Sequence, residues 1–389
     1  MLSHNDIIYL DNAATTKIDE QVFDTMLPYL QDNYGNPSAA YDFAIQNHTA
    51  IEHARQQIAT YLNCKPTEVY FTSGGSESDN FIIKGIAYAA KYIHNITTPH
   101  IITSKTEHSA VLNTCKQLQQ EGFSITYLNV DTSGQIDLTQ LKNSITPSTC
   151  LISIMTVNNE TGVIQPISEI AALSSTYNIP FHTDAVQAIG HIILPTNIHN
   201  ITALSLSGHK LYAPKGIGAF YLNENTPILP LPLINGGHQE FNLRAGTENV
   251  PSIVALGKAI ELLPTYDNLS LSKLRDYYES QILKYIPQAI IHSSSVPRAP
   301  HISSISFPVA MGDSIQFRLN IENICVSTGS ACNSKDILPS HVLTAMNIPQ
   351  SVALNTIRVS LGKYNTLSDI DTLLITLIPF VQNLVKLQS

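Results

Sequence analysis

The chain has 389 residues, of which 43% are hydrophobic and 13% are charged, and its net charge is −9 at neutral pH. These values are typical of a soluble globular protein, and the lack of a Lys/Arg run argues against a nucleic-acid or anionic-membrane surface. The length exceeds that at which a single hydrophobic core keeps growing, so we expect two domains.

Neither a targeting segment nor a membrane span is predicted. Residues Met1 to Thr16 lack a basic run and a long apolar stretch, and the most apolar segment, Leu373 to Val381, is too short to cross a bilayer. The five cysteines have no metal-ligand spacing and are predicted to be reduced thiols. We therefore expect a cytoplasmic protein with no membrane and no direct nucleic-acid partner.

Helical and strand patterns alternate from about Ser38 to about Leu222, which is typical of parallel βαβ units. Short apolar strands are predicted at residues 68–72, 100–103, 151–157, 180–183, 203–206 and 218–222. A helix is predicted to begin near Asp79, and another covers residues 109–120 and ends at Gly122. The pattern changes near Pro264, where we expect a domain boundary.

Polar or glycine-rich clusters follow every predicted strand except the last one. They are Ser73 to Ser76, Glu107 with His108, Asn158 to Glu160, Asp184 with Gln187, and Ser207 to Lys210. Because the carboxyl ends of parallel strands form the ligand crevice of such sheets, these clusters are predicted to line one binding site.

The cluster from Ser73 to Ser76 has the features of a phosphate cradle. Its glycines allow backbone N–H groups to approach an anion, and the following helix start favours negative charge. The GK[ST] ending of a nucleotide P-loop is absent. An ordinary tight turn between strand and helix is the alternative.

Two further residues in these clusters suit an aldehyde cofactor. Lys210 can bind the aldehyde covalently, beside hydroxyl and imidazole groups for a phosphate, and Asp184 can pair with a protonated pyridine nitrogen. The alternatives are a surface lysine, a helix N-cap aspartate and a structural histidine at His108. Lys215 competes with Lys210 but has the neighbours of a turn residue. Together the lysine, the aspartate and the cradle predict pyridoxal phosphate.

Cys332 stands in a segment of small residues, Ser327 to Ser334. A cysteine in such a loop is expected to be more exposed and mobile than most, as a nucleophile that carries cargo requires. The other four cysteines are predicted to be structural: Cys64, Cys115, Cys150 and Cys325.

The sequence as a whole resembles the cysteine desulfurases of NifS/IscS type, in the class-V aminotransferase group of fold-type I pyridoxal-phosphate enzymes. The motifs that carry the resemblance lie at residues 9–16, 72–80, 106–108, 157–162, 182–187, 207–210, 244–249 and 327–332. The resemblance implies an α/β fold with a large domain, residues 16–262, around a mostly parallel seven-stranded sheet flanked by helices. Residues 1–15 and 263–389 would form a smaller α+β domain that carries the catalytic cysteine loop.

The resemblance also implies a role for each site residue. Lys210 would anchor the cofactor and move the substrate Cα proton, and His108 would stack on the ring and assist acid–base steps. The other cofactor contacts would be Asp184 at the ring nitrogen, Gln187 and Asn159 at the phenolic oxygen, and Gly75, Ser76, Ser207 and His209 at the phosphate. Thr247 would reach the phosphate of the neighbouring subunit, which implies a homodimer. Arg358, with Asn159, would bind the substrate, and a guanidinium suits its carboxylate.

The implied reaction removes sulfur from L-cysteine, releases L-alanine and leaves a persulfide on Cys332. The segment Asn333 to His341 preserves the longer form of this loop, which favours direct delivery to an acceptor protein such as an iron–sulfur scaffold. No intrinsic metal is expected, although Cys332 could transiently ligate an iron–sulfur cluster.

Departures from the family pattern affect the contacts of three regions. Ser76 replaces a common threonine, residues 236–244 are less basic than usual, and the sequence ends at Ser389 without a C-terminal extension. The alternative functions are a plain aminotransferase, which would not need Cys332, a selenocysteine lyase, and a catalytically silent partner protein.

Overall fold

The computed structural model describes residues 7–194, 200–328 and 338–388. Its largest sheet has seven strands: β2 (Val69–Thr72), β3 (His100–Ser104), β4 (Ser124–Leu128), β5 (Thr149–Ser153), β6 (Phe181–Asp184), β7 (Ala203–Ser207) and β8 (Gly218–Leu222). Their order is β2-β8-β7-β6-β5-β3-β4, and only β8 runs antiparallel to its neighbours. The predicted mostly parallel seven-stranded sheet is confirmed.

Burial explains which strands the sequence predicted. Every residue of β2, β3, β5, β6, β7 and β8 is buried, as expected for strands covered on both faces of a sheet. Strand β4 lies at the sheet edge and is partly exposed, and its mixed sequence was not recognised. Strand β5 ends at Ser153, four residues earlier than predicted.

Twelve α-helices are present among the described residues. They are α1 (Glu20–Gln31), α2 (Asp42–Leu62), α3 (Gly75–Tyr92), α4 (Ser109–Gln120), α5 (Leu138–Ser144), α6 (Ile167–Thr176), α7 (Val250–Leu262), α8 (Asn268–Tyr285), α9 (Gly312–Ile321), α10 (His341–Ala345), α11 (Gln350–Ala353) and α12 (Leu367–Gln388). Residues of α3 and α4 form one buried cluster with the sheet, and residues of α2, α6 and α7 form another. Helices therefore flank the sheet, as expected.

Two predicted helix boundaries can be compared with the structure. Helix α4 has the predicted bounds, and Gly122 follows it with φ +89°, the left-handed conformation that ends helices. Helix α3 begins at Gly75 rather than near Asp79, so that prediction was wrong by about one turn. Because Gly75 and Ser76 already have helical geometry, the glycine-rich cluster forms the helix N-terminus itself.

A third buried cluster shares no residue with the large sheet and forms the second core of the chain. It contains residues from α8, α9 and α12, together with Leu10. Its strands are β1 (Ile8–Tyr9), β9 (Ile290–Ile291), β10 (Ile302–Ser306), β11 (Ile324–Cys325), β12 (Ser327–Thr328) and β13 (Thr356–Ser360). Four of them form the antiparallel sheet β12-β13-β10-β9, while β1 pairs in parallel with β11. The domain limits inferred from the sequence stay a prediction.

Helix α12 is the one helix in the described ranges that is long and apolar enough to cross a membrane. The prediction that no segment is long enough to span a membrane was based on Leu373 to Val381 alone, but the helix continues on both sides of this segment. Buried residues of α12, including Leu373, Leu377 and Val381, belong to the second core. Core helices of globular proteins have the same composition.

Candidate active site

A cavity of about 680 Å³ lies at the carboxyl ends of β2, β5, β6 and β7. Nine of the residues predicted for the site line it: Gly75, Ser76, His108, Asn159, Asp184, Gln187, Ser207, His209 and Lys210. Arg358 and Thr247 are not among the described residues that form its wall. Cys332 lies outside the described residues. The convergence expected from the strand ends is therefore observed.

Lys210 projects toward the N-terminal segment of the chain. Its Nζ donates hydrogen bonds of 2.5 Å to the carbonyl oxygens of Ala13 and Ala14. Burial, followed by the nearby charge of Arg358, lowers the pKa of Lys210 to about 8. A larger fraction of this amine is neutral near pH 7 than of an ordinary lysine, so it is a better nucleophile.

Lys215 also lines the cavity, but unlike Lys210 it is exposed to solvent. The backbone carbonyls that Lys210 contacts were not found from the sequence, since any residue type can supply a carbonyl.

Asp184, the last residue of β6, is 6% exposed, and its Oδ1 accepts a hydrogen bond of 2.9 Å from the backbone N–H of Val186. Asp184 lies close to Asp79 and His108. Each of the three side chains has one potential ligand atom, and these atoms are within 4.8 Å of one another. Burial is the main factor that raises the pKa of both carboxyl groups, and the charge of Asp184 further raises the pKa of Asp79. Two buried acids this close together are not expected to be charged at once.

Asp79 is a cavity residue that the sequence analysis missed as part of the site. It is 1% exposed, and its Oδ1 has no hydrogen-bond partner in the part of the chain that the structure describes. The side chain follows the glycine cradle by one turn of α3, among residues that are mostly buried. The sequence signal that could have identified Asp79 was an acidic residue on the apolar, buried face of the helix that follows the cradle. By spacing alone, Asp79, His108 and Asp184 could also hold a metal ion.

The N-terminus of α3 fits an anion. Its N-cap residue, Gly74, provides no side-chain hydrogen bond to the first turn, and the N–H of Gly74 itself donates to Thr72 Oγ1 over 3.3 Å. A Cβ atom at Gly75 would come within 2.8 Å of Val186 Cγ2, so only glycine fits this close approach. Ser207 Oγ lies 3.8 Å from the Cβ position of Gly74. The free N–H groups of the first turn and this hydroxyl form a polar cradle.

Two histidines border the cavity in different ways. His209 Nδ1 lies 3.2 Å from Thr15 Oγ1, and burial is the main cause that lowers the pKa of His209 to about 4. His108 is the N-cap of α4, where its Nδ1 accepts a 3.2 Å hydrogen bond from the N–H of Ala110. The neutral His108 ring therefore carries its proton on Nε2. His108 therefore has a structural role as the cap of α4 and also lines the cavity.

Arg358 lies on β13, next to the cavity residue Asn159. Its Nη1 donates to the Asn159 carbonyl oxygen over 2.8 Å, and its Nη2 donates to Asp11 Oδ1 over 2.7 Å. Arg358 Nε is buried and has no partner within the described ranges. The guanidinium therefore has an unpaired donor at Nε in addition to the two bonds that fix its position. Asp11 was not predicted, because its partner is 347 residues away in the sequence.

The fold and this site define the class of protein. The sequence matches the family described as aminotransferase class-V over residues 8–373, so the chain belongs to the class-V aminotransferase family. Proteins named cysteine desulfurase IscS from Methanosarcina thermophila and Dictyoglomus turgidum are each 46% identical to it. The alignments cover 98% and 94% of this chain and 94% and 92% of the relatives.

Solved structures agree with this assignment. A NifS-like protein superposes with a TM-score of 0.88 at 35% identity, over 97% of this chain and 100% of the other. A structure described as SspA in complex with cysteine gives a TM-score of 0.81 at 39% identity, over 92% of this chain and 99% of the other. The resemblance inferred from the motifs and the expected fold class are confirmed.

Proposed function

We propose that this chain is a pyridoxal-phosphate-dependent cysteine desulfurase, which converts L-cysteine to L-alanine and transfers the sulfur to Cys332. The observation that carries the proposal is the meeting of Lys210, Asp184 and the uncapped N-terminus of α3 in one cavity. Relatives named cysteine desulfurase, and a neighbouring structure described as a complex with cysteine, support the choice of substrate.

The cavity residues suit each part of pyridoxal phosphate. The phosphate would be held by the first turn of α3 and by Ser207 and His209, the ring nitrogen by Asp184, and the phenolic oxygen by Gln187 and Asn159. Lys210 would bind the aldehyde. When bound, the cofactor supplies an electron sink that stabilises negative charge on the substrate Cα.

Residues of the chain would bind the substrate and move its protons. The unpaired Nε–H of Arg358 would donate a hydrogen bond to one oxygen of the cysteine carboxylate. Lys210 Nζ, with its pKa lowered to about 8, would take the Cα proton, and the Nε2–H of His108 would serve as a nearby acid.

The sulfur-transfer step would use Cys332. Its thiolate attacks the sulfur of the substrate, an S–S bond forms, and the Cβ–S bond breaks with its electron pair left on carbon. Protonation of that carbon completes L-alanine, so the balanced outcome is one cysteine and one enzyme thiol converted to one alanine and one enzyme persulfide.

The described residues on either side of the Cys332 segment support this role. Ser327 pairs with Arg358 in the register of β12 and β13. On the other side, Ser340 Oγ hydrogen-bonds Glu160, and His341 Nε2 donates to the Glu107 carbonyl oxygen over 3.0 Å. Both ends of the segment therefore lie beside neighbours of the site residues His108 and Asn159.

The proposal includes a cytoplasmic homodimer that passes sulfur to an acceptor such as an iron–sulfur scaffold. Thr247 supports the dimer, because it is exposed and does not line the cavity of its own chain among the described residues. Light scattering of the purified protein tests the dimer. A monomer at micromolar concentration would contradict it.

The activity is tested with L-cysteine and a reductant, by measuring alanine and sulfide. Wild type should form both products, Cys332→Ala should form neither at a comparable rate, and Cys325→Ala should match wild type because its thiol lies in β11. A wild type that forms no alanine refutes the desulfurase proposal. A fully active Cys332→Ala refutes only the persulfide step, and a chromophore still covalently attached in Lys210→Ala refutes the lysine anchor.

A further inference from the structure

Gln187 lies between the cavity and a buried histidine from another part of the chain. Its Nε2 donates a 2.8 Å hydrogen bond to the carbonyl oxygen of Ala13. Its Oε1 lies 3.1 Å from Nε2 of His301, which is 1% exposed and directly precedes β10. A residue next to the second core therefore contacts a side chain that lines the cavity.

The surroundings of His301 leave one suitable location for its proton. The ring stacks on His191 with a centroid distance of 3.6 Å, and Nδ1 of each ring lacks a partner among the described residues. A neutral imidazole has one N–H, which buried groups rarely leave unsatisfied. Because Gln187 Oε1 is the acceptor that His301 contacts, the proton belongs on Nε2.

The imidazole is neutral under ordinary conditions. Burial is the main cause that lowers the pKa of His301 well below its usual value, and the positive charges of Arg358, Arg275 and Lys210 act in the same direction, as does His191. The ring therefore acts as a fixed hydrogen-bond donor.

The Ala13 carbonyl oxygen, which can only accept, sets the orientation of the Gln187 amide, and the His301 N–H stabilises that orientation from the other side. If the amide were flipped, its oxygen would face the Ala13 carbonyl oxygen, and its NH₂ group would face the N–H of His301. Both contacts would lose a hydrogen bond in a buried site. In the observed orientation, one amide hydrogen binds Ala13 and the second is available to the cavity.

We propose that His301 is a positioning residue, which holds the Gln187 amide so that its second N–H faces the phenolic oxygen of the bound cofactor. This inference rests on the proposed function. A donor at that oxygen stabilises its negative charge, so the pH midpoint of the bound cofactor's absorption band is lower when the donor is in place.

The test is a spectrophotometric pH titration of purified holoenzymes without substrate. His301→Ala should raise the midpoint by about 0.5–1 pH unit, in the direction of Gln187→Ala, because one hydrogen bond is lost. The double variant should shift no further than Gln187→Ala alone, since the two residues act through one contact. His301→Asn, which keeps a side-chain N–H, should restore part of the wild-type midpoint.

His292→Ala is the matched control. His292 is 3% exposed, lies in the same part of the fold and bonds Ser306 Oγ over 2.6 Å, so its loss reports on general damage. It should leave the midpoint unchanged. Circular dichroism shows whether each variant is folded, and His301→Asn replaces His301→Ala in the comparison if the alanine variant is not.

Three results separate the possible failures. A shift in Gln187→Ala without a shift in either His301 variant overturns the positioning role. A wild-type midpoint in Gln187→Ala overturns both that role and the proposed contact of Gln187 with the cofactor. A wild type that forms no absorbing complex with pyridoxal phosphate instead refutes the proposed cofactor.

Discussion

Arg358 and Asp11 form an ion pair at the edge of the cavity, with Nη2 and Oδ1 separated by 2.7 Å and the side chains 11% and 20% exposed. The pair orients the guanidinium before any substrate arrives. It also puts a carboxylate next to the group proposed to bind the substrate carboxylate. The same residue can therefore preorganise the site and weaken binding by charge repulsion.

Asp11→Asn separates these two effects, because the amide keeps a hydrogen-bond acceptor for Arg358 but removes the charge. We expect the KM for L-cysteine to fall roughly two- to ten-fold with little change in kcat, since a partly buried charge contact is worth on the order of 1 kcal/mol. Initial rates of alanine formation measure both constants. Arg358→Lys is the comparison and should raise KM. A higher KM in Asp11→Asn would mean that orientation outweighs repulsion.

The lowered pKa of Lys210 predicts how cofactor loading depends on pH. The amine is protonated and unreactive below its pKa, so the rate at which the apoprotein binds pyridoxal phosphate covalently should rise as the pH passes through about 8. An ordinary lysine would require a pH of about 10.4. Absorbance changes after rapid mixing measure the rate.

Arg358→Gln provides the control for this titration. The positive charge of Arg358 is the second cause of the lowered pKa of Lys210, so its removal should move the midpoint to higher pH. An unchanged midpoint would mean that burial alone sets the reactivity of the amine.

Asp184→Asn should impair catalysis more than folding. The amide cannot act as an anionic partner for a protonated ring nitrogen, and a charge-assisted hydrogen bond contributes about 1.5–3 kcal/mol. We therefore expect kcat to fall roughly ten- to two-hundred-fold. Steady-state kinetics at saturating cofactor measure this. Asp79→Asn removes the neighbouring carboxyl and should lower kcat less. The reverse order would assign the charge to Asp79.

Glu240 connects its own segment, residues 236–244, with helix α2 and strand β2. It forms two 2.9 Å hydrogen bonds with Arg55 of α2, both side chains being 4% exposed, and it accepts a 2.8 Å bond from the N–H of Phe71 in β2. The sequence left the contacts of residues 236–244 open, and the structure supplies this one.

Glu240→Ala would leave the buried Arg55 without its partner, which costs about 3–5 kcal/mol in unfolding free energy. Denaturant unfolding with a fixed cofactor concentration measures the change. Glu261→Ala is the control, because the Lys258–Glu261 pair is 23% and 48% exposed, and it should cost less than about 1 kcal/mol. Equal effects for the two variants would show that the buried pair has no special importance.

The sequence by itself determined the elements whose patterns are local. Short apolar runs predicted strands such as β6 and β7. The polar clusters at their carboxyl ends, which contain Asp184 and Lys210, were predicted to share an edge. This succeeded because the carboxyl ends of parallel strands meet at one edge whatever the rest of the chain does.

Only the tertiary structure decided which distant residues support those groups. The Asp11–Arg358 and Gln187–His301 contacts join positions 347 and 114 residues apart. The packing of α3 on the sheet brings the carboxyl group of Asp79 close to that of Asp184, a proximity that the sequence does not show. Hydrophobic periodicity reports which face of an element is buried, but the packing of the two cores determines what that face meets.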